Sequence, residues 1–228
     1  MRLALISDIH GNLPVLEACL AEIAARHCDR IVCLGDVFGY FPDGVACAKR
    51  LLDAGAECLM GNHEAMLLGQ LPLPEAKDPV YRLADQRARV PEALMHRIQG
   101  WVPYATDSIG AMRILMVHGS PWQPLTEYVY PDADLARFAA LPFDAVFMGH
   151  THHAFVRRAG EVQVCNTGSC GLPRDVGKSS FAILDTSTGK IELVRLEVDL
   201  AQLRSRYPGL HSSIYAVWSR GPRAADKE

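Results

Sequence analysis

Five short blocks carry residue types that bind cations or move protons. They are Asp8-Ile9-His10, Gly35-Asp36, Gly61-Asn62-His63-Glu64, His118-Gly119 and Gly149-His150-Thr151-His152. Each directly follows a short run of strand character. In open α/β sheets, ligands gather beyond the carboxyl ends of the strands, so these blocks would bring two Asp, one Asn and four His to one rim. Asp8 and His10 are two positions apart, as are His150 and His152. In extended backbone such residues face the same side, so each pair would aim at one small volume. Imidazole with carboxylate and no thiolate suits manganese, iron, zinc, cobalt or nickel rather than calcium. Seven side chains exceed the needs of one tetrahedral ion. Two divalent ions about 3.5–4 Å apart would use them all if one Asp bridges, could hold a hydroxide between them, and would clamp a phosphoryl group for in-line displacement.

Taken singly, these residues have plainer roles. Asp36 could cap a helix or make a turn, Asn62 could be a left-handed turn residue, and His118 could be a satisfied core histidine. Their order and their common place at strand ends favour a shared site.

The elements that must position the blocks are legible in the apolar spacing. Arg2–Ser7, Arg30–Leu34 and Glu57–Met60 read as buried strands. Between them, Pro14–Arg26 and Val45–Ala54 have helical spacing, with Pro14 near one helix start and Gly55 closing the other. This β-α-β-α-β order predicts a parallel sheet with covering helices. Further strands are expected at Met112–Val117, Ala145–Met148, Phe155–Arg158, Val162–Cys165, Phe181–Asp185 and Ile191–Val198. A short helix is expected at Asp132–Ala140, and a hairpin turn at Thr186–Gly189. The proline-containing stretch 69–100, with a charged helical part at Tyr81–Arg89, reads as a lid-like surface excursion. Residues 221–228 are polar and read as a frayed tail. The expected organisation is a single domain over residues 1–228.

Composition narrows the partners. The 228 residues are 49% hydrophobic and 21% charged, the balance of an ordinary folded domain. A net charge of −3 offers no positive footprint for duplex nucleic acid, which argues against a DNA nuclease. No apolar run approaches the roughly 18–20 residues of a membrane span. The cysteines, Cys19, Cys28, Cys33, Cys47, Cys58, Cys165 and Cys170, are odd in number and form no CxxC pair. A disulfide framework is not expected, which points to a reducing, cytoplasmic setting. Nothing in the sequence opposes a homo-oligomer.

The five blocks, in this order, resemble the calcineurin-like metallophosphoesterase superfamily, whose pattern runs D-x-H, G-D, G-N-H-D/E, H, G-H-x-H. The blocks span residues 8–152, and Asn166-Thr167-Gly168-Ser169 looks like a further shared strand-end turn. Chain length, Ser7–Asn12 and His118-Gly119-Ser120-Pro121 look most like the small bacterial and archaeal phosphodiesterase branch. The resemblance implies a four-layer α/β/β/α sandwich with two mixed sheets and a metal site at the strand carboxyl ends. It implies two divalent ions, with manganese favoured for activity. Asp8, His10 and His152 would hold the first ion, and Asn62, His118 and His150 the second. Asp36 would bridge them. His63 would not be a ligand; it would aid the leaving group as proton donor or electrostatic stabiliser.

One block departs from the protein phosphatases and the symmetrical dinucleoside tetraphosphatases, which carry G-D-x-x-D-R-G. Here Gly39 replaces the Asp that would orient the histidine, and Tyr40 replaces the phosphate-gripping Arg. Tyr cannot copy the bidentate contacts of a guanidinium. A singly charged diester needs such an Arg less than a monoester does, although another Arg could enter from a loop. The expected activity is therefore hydrolysis of a small, nucleotide-like phosphodiester. The alternatives are a phosphomonoesterase, a dinucleoside polyphosphate hydrolase, or a metal-binding scaffold without catalysis.

Other residues have two readings each. Tyr40, Phe41, Trp122, Tyr128 and Tyr130 could form an aromatic wall that stacks a base, or could be ordinary rim packing. Arg174 could contact phosphate or form a surface salt bridge. Asn12 could position substrate or make a turn, and Glu64 could support the ligands or charge a helix start. His27, His96 and His211 read as surface residues.

Overall fold

A computed structural model describes residues 1–218 of the chain. The expected frayed tail, 221–228, lies outside the described residues. The first third runs β1 (Arg2–Ile6), α1 (Leu13–Ala25), β2 (Arg30–Cys33), α2 (Gly44–Asp53), β3 (Glu57–Cys58) and α3 (Asn62–Leu67). β1, β2 and β3 pair in parallel, as the alternation of strands and helices requires. β9 (Ser179–Asp185) and β10 (Lys190–Leu196) form an antiparallel hairpin that docks β9 beside β1, giving the order β10-β9-β1-β2-β3.

The second sheet has the order β4-β5-β6-β8-β7, from β4 (Tyr104–Ile109), β5 (Met112–Val117), β6 (Ala145–Met148), β7 (Phe155–Ala159) and β8 (Val162–Asn166). Its three central strands are parallel, and both edge strands are antiparallel to their neighbours. Both sheets are thus mixed. The sequence reading missed β4. Its residues alternate between exposed and half-buried along an edge, and only Ala105 and Ile109 reach the core between the sheets. That leaves little apolar signal to read.

The layers follow from side-chain alternation. In β1, Leu3 and Leu5 face the second sheet and pack with Ile114, Met116, Phe147 and Leu184. Ala4 and Ile6 face the other way, onto Leu16, Cys19 and Leu20 of α1. A strand buried on both faces reads as an unbroken apolar run, which is what the sequence shows. The outer face of the second sheet, with Val117, Val146 and Val164, is covered by the 119–144 segment through Val129, Leu135 and Phe138. That segment holds one 3-10 turn, Ala136–Ala140, shorter than the helix expected from residue 132.

The 69–100 excursion is mostly helical. After a 3-10 turn at Glu75–Lys77 it runs α4 (Asp78–Tyr81), α5 (Leu83–Arg89) and α6 (Glu92–Gln99). Leu83, Leu94 and Ile98 dock it into the core of the first sheet. The chain returns to that core with α7 (Leu200–Arg206) and α8 (Ser212–Val217), through Leu203, Ile214 and Val217. The seven cysteines are free, and no helix among the described residues is long and apolar enough to cross a membrane.

Candidate metal centre and substrate pocket

The loops after β1, β2, β5 and β6, with the start of α3, converge at one end of the two sheets. All seven expected ligands and His63 meet there, buried. The convergence does not come from extended backbone. Asp8, His10, Asp36, His150 and His152 are five of the eight described non-glycine residues in the left-handed region, with φ between 53° and 67°. Asp and His enter this region more readily than most residues. Each i, i+2 pair therefore meets because the chain coils at both members, and the strain is concentrated where the chemistry is.

Hydrogen bonds hold the coiled loops. Ile9 and His10 N–H donate to the Asp36 carbonyl at 2.8 and 2.9 Å, locking the first loop onto the second. The Glu64 carboxylate accepts from Gly61 N at 2.9 Å, Asp36 N and Val37 N at 2.8 Å, and Phe38 N at 3.2 Å. Glu64 thus supports the ligand loops as well as charging the start of α3. Burial and the nearby Asp36 carboxylate raise its pKa to about 7. Asn166 Nδ2 donates to the Gly149 carbonyl at 2.6 Å, anchoring the His150–His152 loop to the end of β8. Gln86 of the excursion reaches the second loop, accepting from Gly39 N at 3.2 Å and donating to the Phe41 carbonyl at 2.9 Å. Gln86→Leu would leave both groups buried without partners, so unfolding free energy should fall by about 2 kcal/mol. A urea melt checks this; an unchanged midpoint would mean that the excursion does not brace the loop.

The histidine tautomers follow from the supporting bonds. His10, His118 and His152 each place Nδ1 against a backbone carbonyl, Phe38 O at 3.0 Å, Leu34 O at 3.0 Å and Leu172 O at 2.6 Å. A carbonyl only accepts, so Nδ1 carries the proton and Nε2 is left as a lone pair. His10 Nε2 and His152 Nε2 then face each other at 3.1 Å. Asp8 Oδ1 lies 3.2 Å from His152 Nε2 and 3.7 Å from His10 Nε2, buried with no hydrogen-bond partner. Three acceptors converging without a donor are repulsive unless a cation sits among them. Their spacing suits one, since bonds of about 2.0–2.2 Å hold neighbouring donors roughly 3–3.5 Å apart.

A second cluster repeats the pattern. His118 Nε2 lies 2.9 Å from Asn62 Oδ1, 3.1 Å from His150 Nδ1 and 3.5 Å from Asp36 Oδ2. Burial alone would lower the pKa of His118, but the Asp36 and Asp8 carboxylates outweigh it and lift it to about 9. A carboxylate pair that pulls a proton onto a buried imidazole is a site built for positive charge. Burial lowers His150 to about 3, helped by His118. Burial also holds His10 well below its usual range, with His63 and His152 adding to the shift. Burial pushes the Asp8 and Asp36 carboxyls up, but the facing histidines prevail and keep both ionised. Neutral imidazoles and ionised carboxylates are the forms that bind metal, so a cation at the second cluster would take the place of the proton that the carboxylates draw onto His118 Nε2. The donor set fits divalent cations.

His63 stands beside the clusters. Its backbone N–H donates to Asp36 Oδ1 at 2.8 Å, and its Nε2 is 3.9 Å from Asp36 Oδ2. His10, Asp36 and His63 also converge closely enough to form a third potential ion site. This grouping shares His10 and Asp36 with the other two, so His63 is its only additional residue. Gly39 is required next to it: a Cβ there would lie 2.2 Å from His63 Nδ1, and φ is +97°. A side chain at position 39 would push this ring from its place.

A cavity of about 370 Å³ opens onto Asp36, Asn62, His63, His150 and His152. The expected aromatic wall is only partly there. Tyr40 and Tyr128 line the cavity, with Tyr128 stacked on His150 at 3.9 Å and Tyr130 behind it at 5.8 Å. Phe41 is buried against Tyr207, and Trp122 lies under Arg137 against Phe138, so neither forms the wall. Asn12 is buried and donates to the Gly171 carbonyl, which makes it a structural residue. His27, His96 and His211 are exposed. The sequence reading missed Tyr81, which packs on His63 at 4.8 Å, and the apolar side formed by Val80, Leu172, Ile214 and Val217. Aromatic type alone could have flagged Tyr81; nothing in the sequence marks α8 as a pocket wall.

Residues 1–189 match the calcineurin-like phosphoesterase superfamily domain. Protein MJ0912 of Methanocaldococcus jannaschii is 29% identical over 218 residues, covering 87% of this chain and 88% of that protein. Phosphodiesterase YfcE of Escherichia coli is 24% identical over 214 residues, covering 89% of this chain and 97% of that protein. The crystal structure of a metallophosphoesterase from Sphaerobacter thermophilus has a TM-score of 0.79 at 27% identity, covering 96% of this chain and 98% of that one.

Proposed function

The chain belongs to the calcineurin-like phosphoesterase superfamily, on its small bacterial and archaeal branch, and from that premise we propose that it hydrolyses small, nucleotide-like phosphodiesters with two divalent ions. Asp8, His10 and His152 would hold the first ion, and Asn62, His118 and His150 the second, with Asp36 the ligand available to both. The observation that carries this reading is the position of Asp36 Oδ2, 3.8 Å from His10 Nε2 and 3.5 Å from His118 Nε2, between the two clusters. Ions bound there would supply an activated water and a Lewis-acid clamp on the phosphoryl oxygens.

The protein's own groups do the rest. His63, held by Asp36 and boxed by Tyr40 and Tyr81, serves the leaving oxygen. Burial lowers its pKa, so the ring is neutral near pH 7 and offers an N–H to the developing alkoxide. The excursion and α8 roof the cavity, and its volume lies at the small end of ligand sites, which selects small esters. Because both roofing elements share the core of the first sheet, the chain works as one domain.

The test uses metal-stripped protein and a chromogenic phosphodiester, its monoester and a dinucleoside polyphosphate, with each divalent ion added back. Manganese-dependent turnover led by the diester is expected. A preference for the monoester or the polyphosphate would overturn the substrate assignment. Bound metal with no turnover on any of them would leave the scaffold reading.

A further inference from the structure

We propose that Arg174 is the cation that grips an anionic phosphoryl oxygen of the bound ligand, with Tyr40 as its positioning residue. This assignment rests on the proposed phosphoesterase reading for the identity of the anion, but its geometry is independent of it.

Arg174 comes from the loop after β8, outside every metal block. Its backbone N–H donates to the His152 carbonyl at 3.1 Å, so its Cα is tied to the ligand loop itself. Its side chain lines the same cavity as Asp36, His63, His150 and His152. One terminal nitrogen donates to the Tyr40 hydroxyl at 2.9 Å, while Nε is buried and lacks a hydrogen-bond partner. Among the described residues no carboxylate lies within 4.0 Å of this guanidinium. The adjacent Asp175 is no exception, because it turns to Arg195 at 2.7 Å. A guanidinium has five donors in a planar fork; here, among the described residues, it makes one side-chain hydrogen bond, and that is to a neutral phenol.

Charge around the cavity says what completes the fork. Two divalent ions held against the Asp8 and Asp36 carboxylates would leave a surplus of positive charge, and Arg174, which lines the same cavity, would add to it. An anion with several oxygens is the ligand that satisfies both at once, and planar bidentate contact with phosphate is what a guanidinium does best. Tyr40 is built to hold the fork there. It has a left-handed backbone, φ 58°, a conformation that is unusual for a bulky residue. Its ring packs on His10 at 4.7 Å and His63 at 5.3 Å, and its N–H donates to the Tyr81 carbonyl at 2.7 Å. The Tyr that stands where an Arg would be expected in the second block thus holds an Arg supplied from another loop.

The experiment measures binding of inorganic phosphate to the full-length, manganese-loaded protein by calorimetry, with metal content determined in parallel. Arg174→Met should weaken phosphate by about 10- to 100-fold, the size of one or two charge-assisted hydrogen bonds, with metal content unchanged. Arg174→Lys should recover part of that loss, because it keeps the charge but not the fork. Tyr40→Phe should weaken phosphate by a smaller factor and raise KM more than it lowers kcat. Wild-type phosphate affinity in Arg174→Met overturns the proposal. Should that variant fail to fold, Arg174→Lys with unaltered affinity overturns it equally. Because phosphate binding is read without turnover, the two proposals fail separately. A protein that binds phosphate through Arg174 yet hydrolyses no ester loses the phosphoesterase reading alone. One that hydrolyses esters but binds phosphate independently of Arg174 loses this inference alone.

Discussion

Asp36→Asn is expected to weaken both metal ions together and to lower turnover by about 10³-fold or more, the loss of roughly 4 kcal/mol of transition-state stabilisation. The amide keeps the volume of the carboxylate, so packing is not the cause. What changes is the charge at Oδ2, which faces His10 on one side and His118 on the other. An amide there presents a neutral oxygen or an NH2 group to two cation sites. Elemental analysis of the purified variant is the check. Loss of one ion with retention of the other would show that Asp36 belongs to one site only. A thermal readout adds a second measure. Added Mn²⁺ should stabilise the wild-type protein by about 2.7 kcal/mol per bound ion at a hundredfold excess over its dissociation constant. The variant should gain much less.

His63→Ala should lower turnover by about 10²-fold or more while leaving both ions in place. The side chain is buried, its ring lies over Gly39, and it takes part in neither of the two clusters built on Asp8 and His118. Under the proposed roles, removing it takes away the leaving-group donor and not a ligand. The third potential grouping of His10, Asp36 and His63 makes this a sharp test. If an ion is lost along with His63, the histidine is a ligand and the proposed roles are wrong. Retained metal with unchanged turnover would also exclude it from the chemistry. The same variant with a substrate whose leaving group is strongly acidic should recover much of the lost rate, because such a group departs without a proton.

The residues of the site were legible because each block is short, contiguous and at the end of its own strand. Asp8-Ile9-His10 after β1 or Gly149-His150-Thr151-His152 after β6 needs no distant information to be found. The reason for their convergence was not legible. Two-residue spacing suggests extended backbone, whereas Asp8, His10, His150 and His152 all have positive φ. That geometry depends on bonds between loops, such as those from Ile9 and His10 to Asp36, that no single block encodes. Glu64 shows the same division. Its type and its place at a helix start are local facts, but its contacts with Asp36, Val37 and Phe38 exist only once β2 and α3 are side by side.

The amino-acid sequence by itself determined the parallel β-α-β core and the order of the candidate metal-binding blocks through which the chain resembles its family, because strand periodicity and residue type are properties of neighbouring residues. Only the tertiary structure decided the walls of the pocket. Phe41 and Trp122 turned to other packing, while Tyr81, Ile214 and Val217 became lining and Arg174 came to rest on Tyr40. A wall is made by whichever side chains happen to border a cavity after helices from residues 78 and 212 onward dock on the same sheet, and that choice is a matter of packing between segments far apart in the chain.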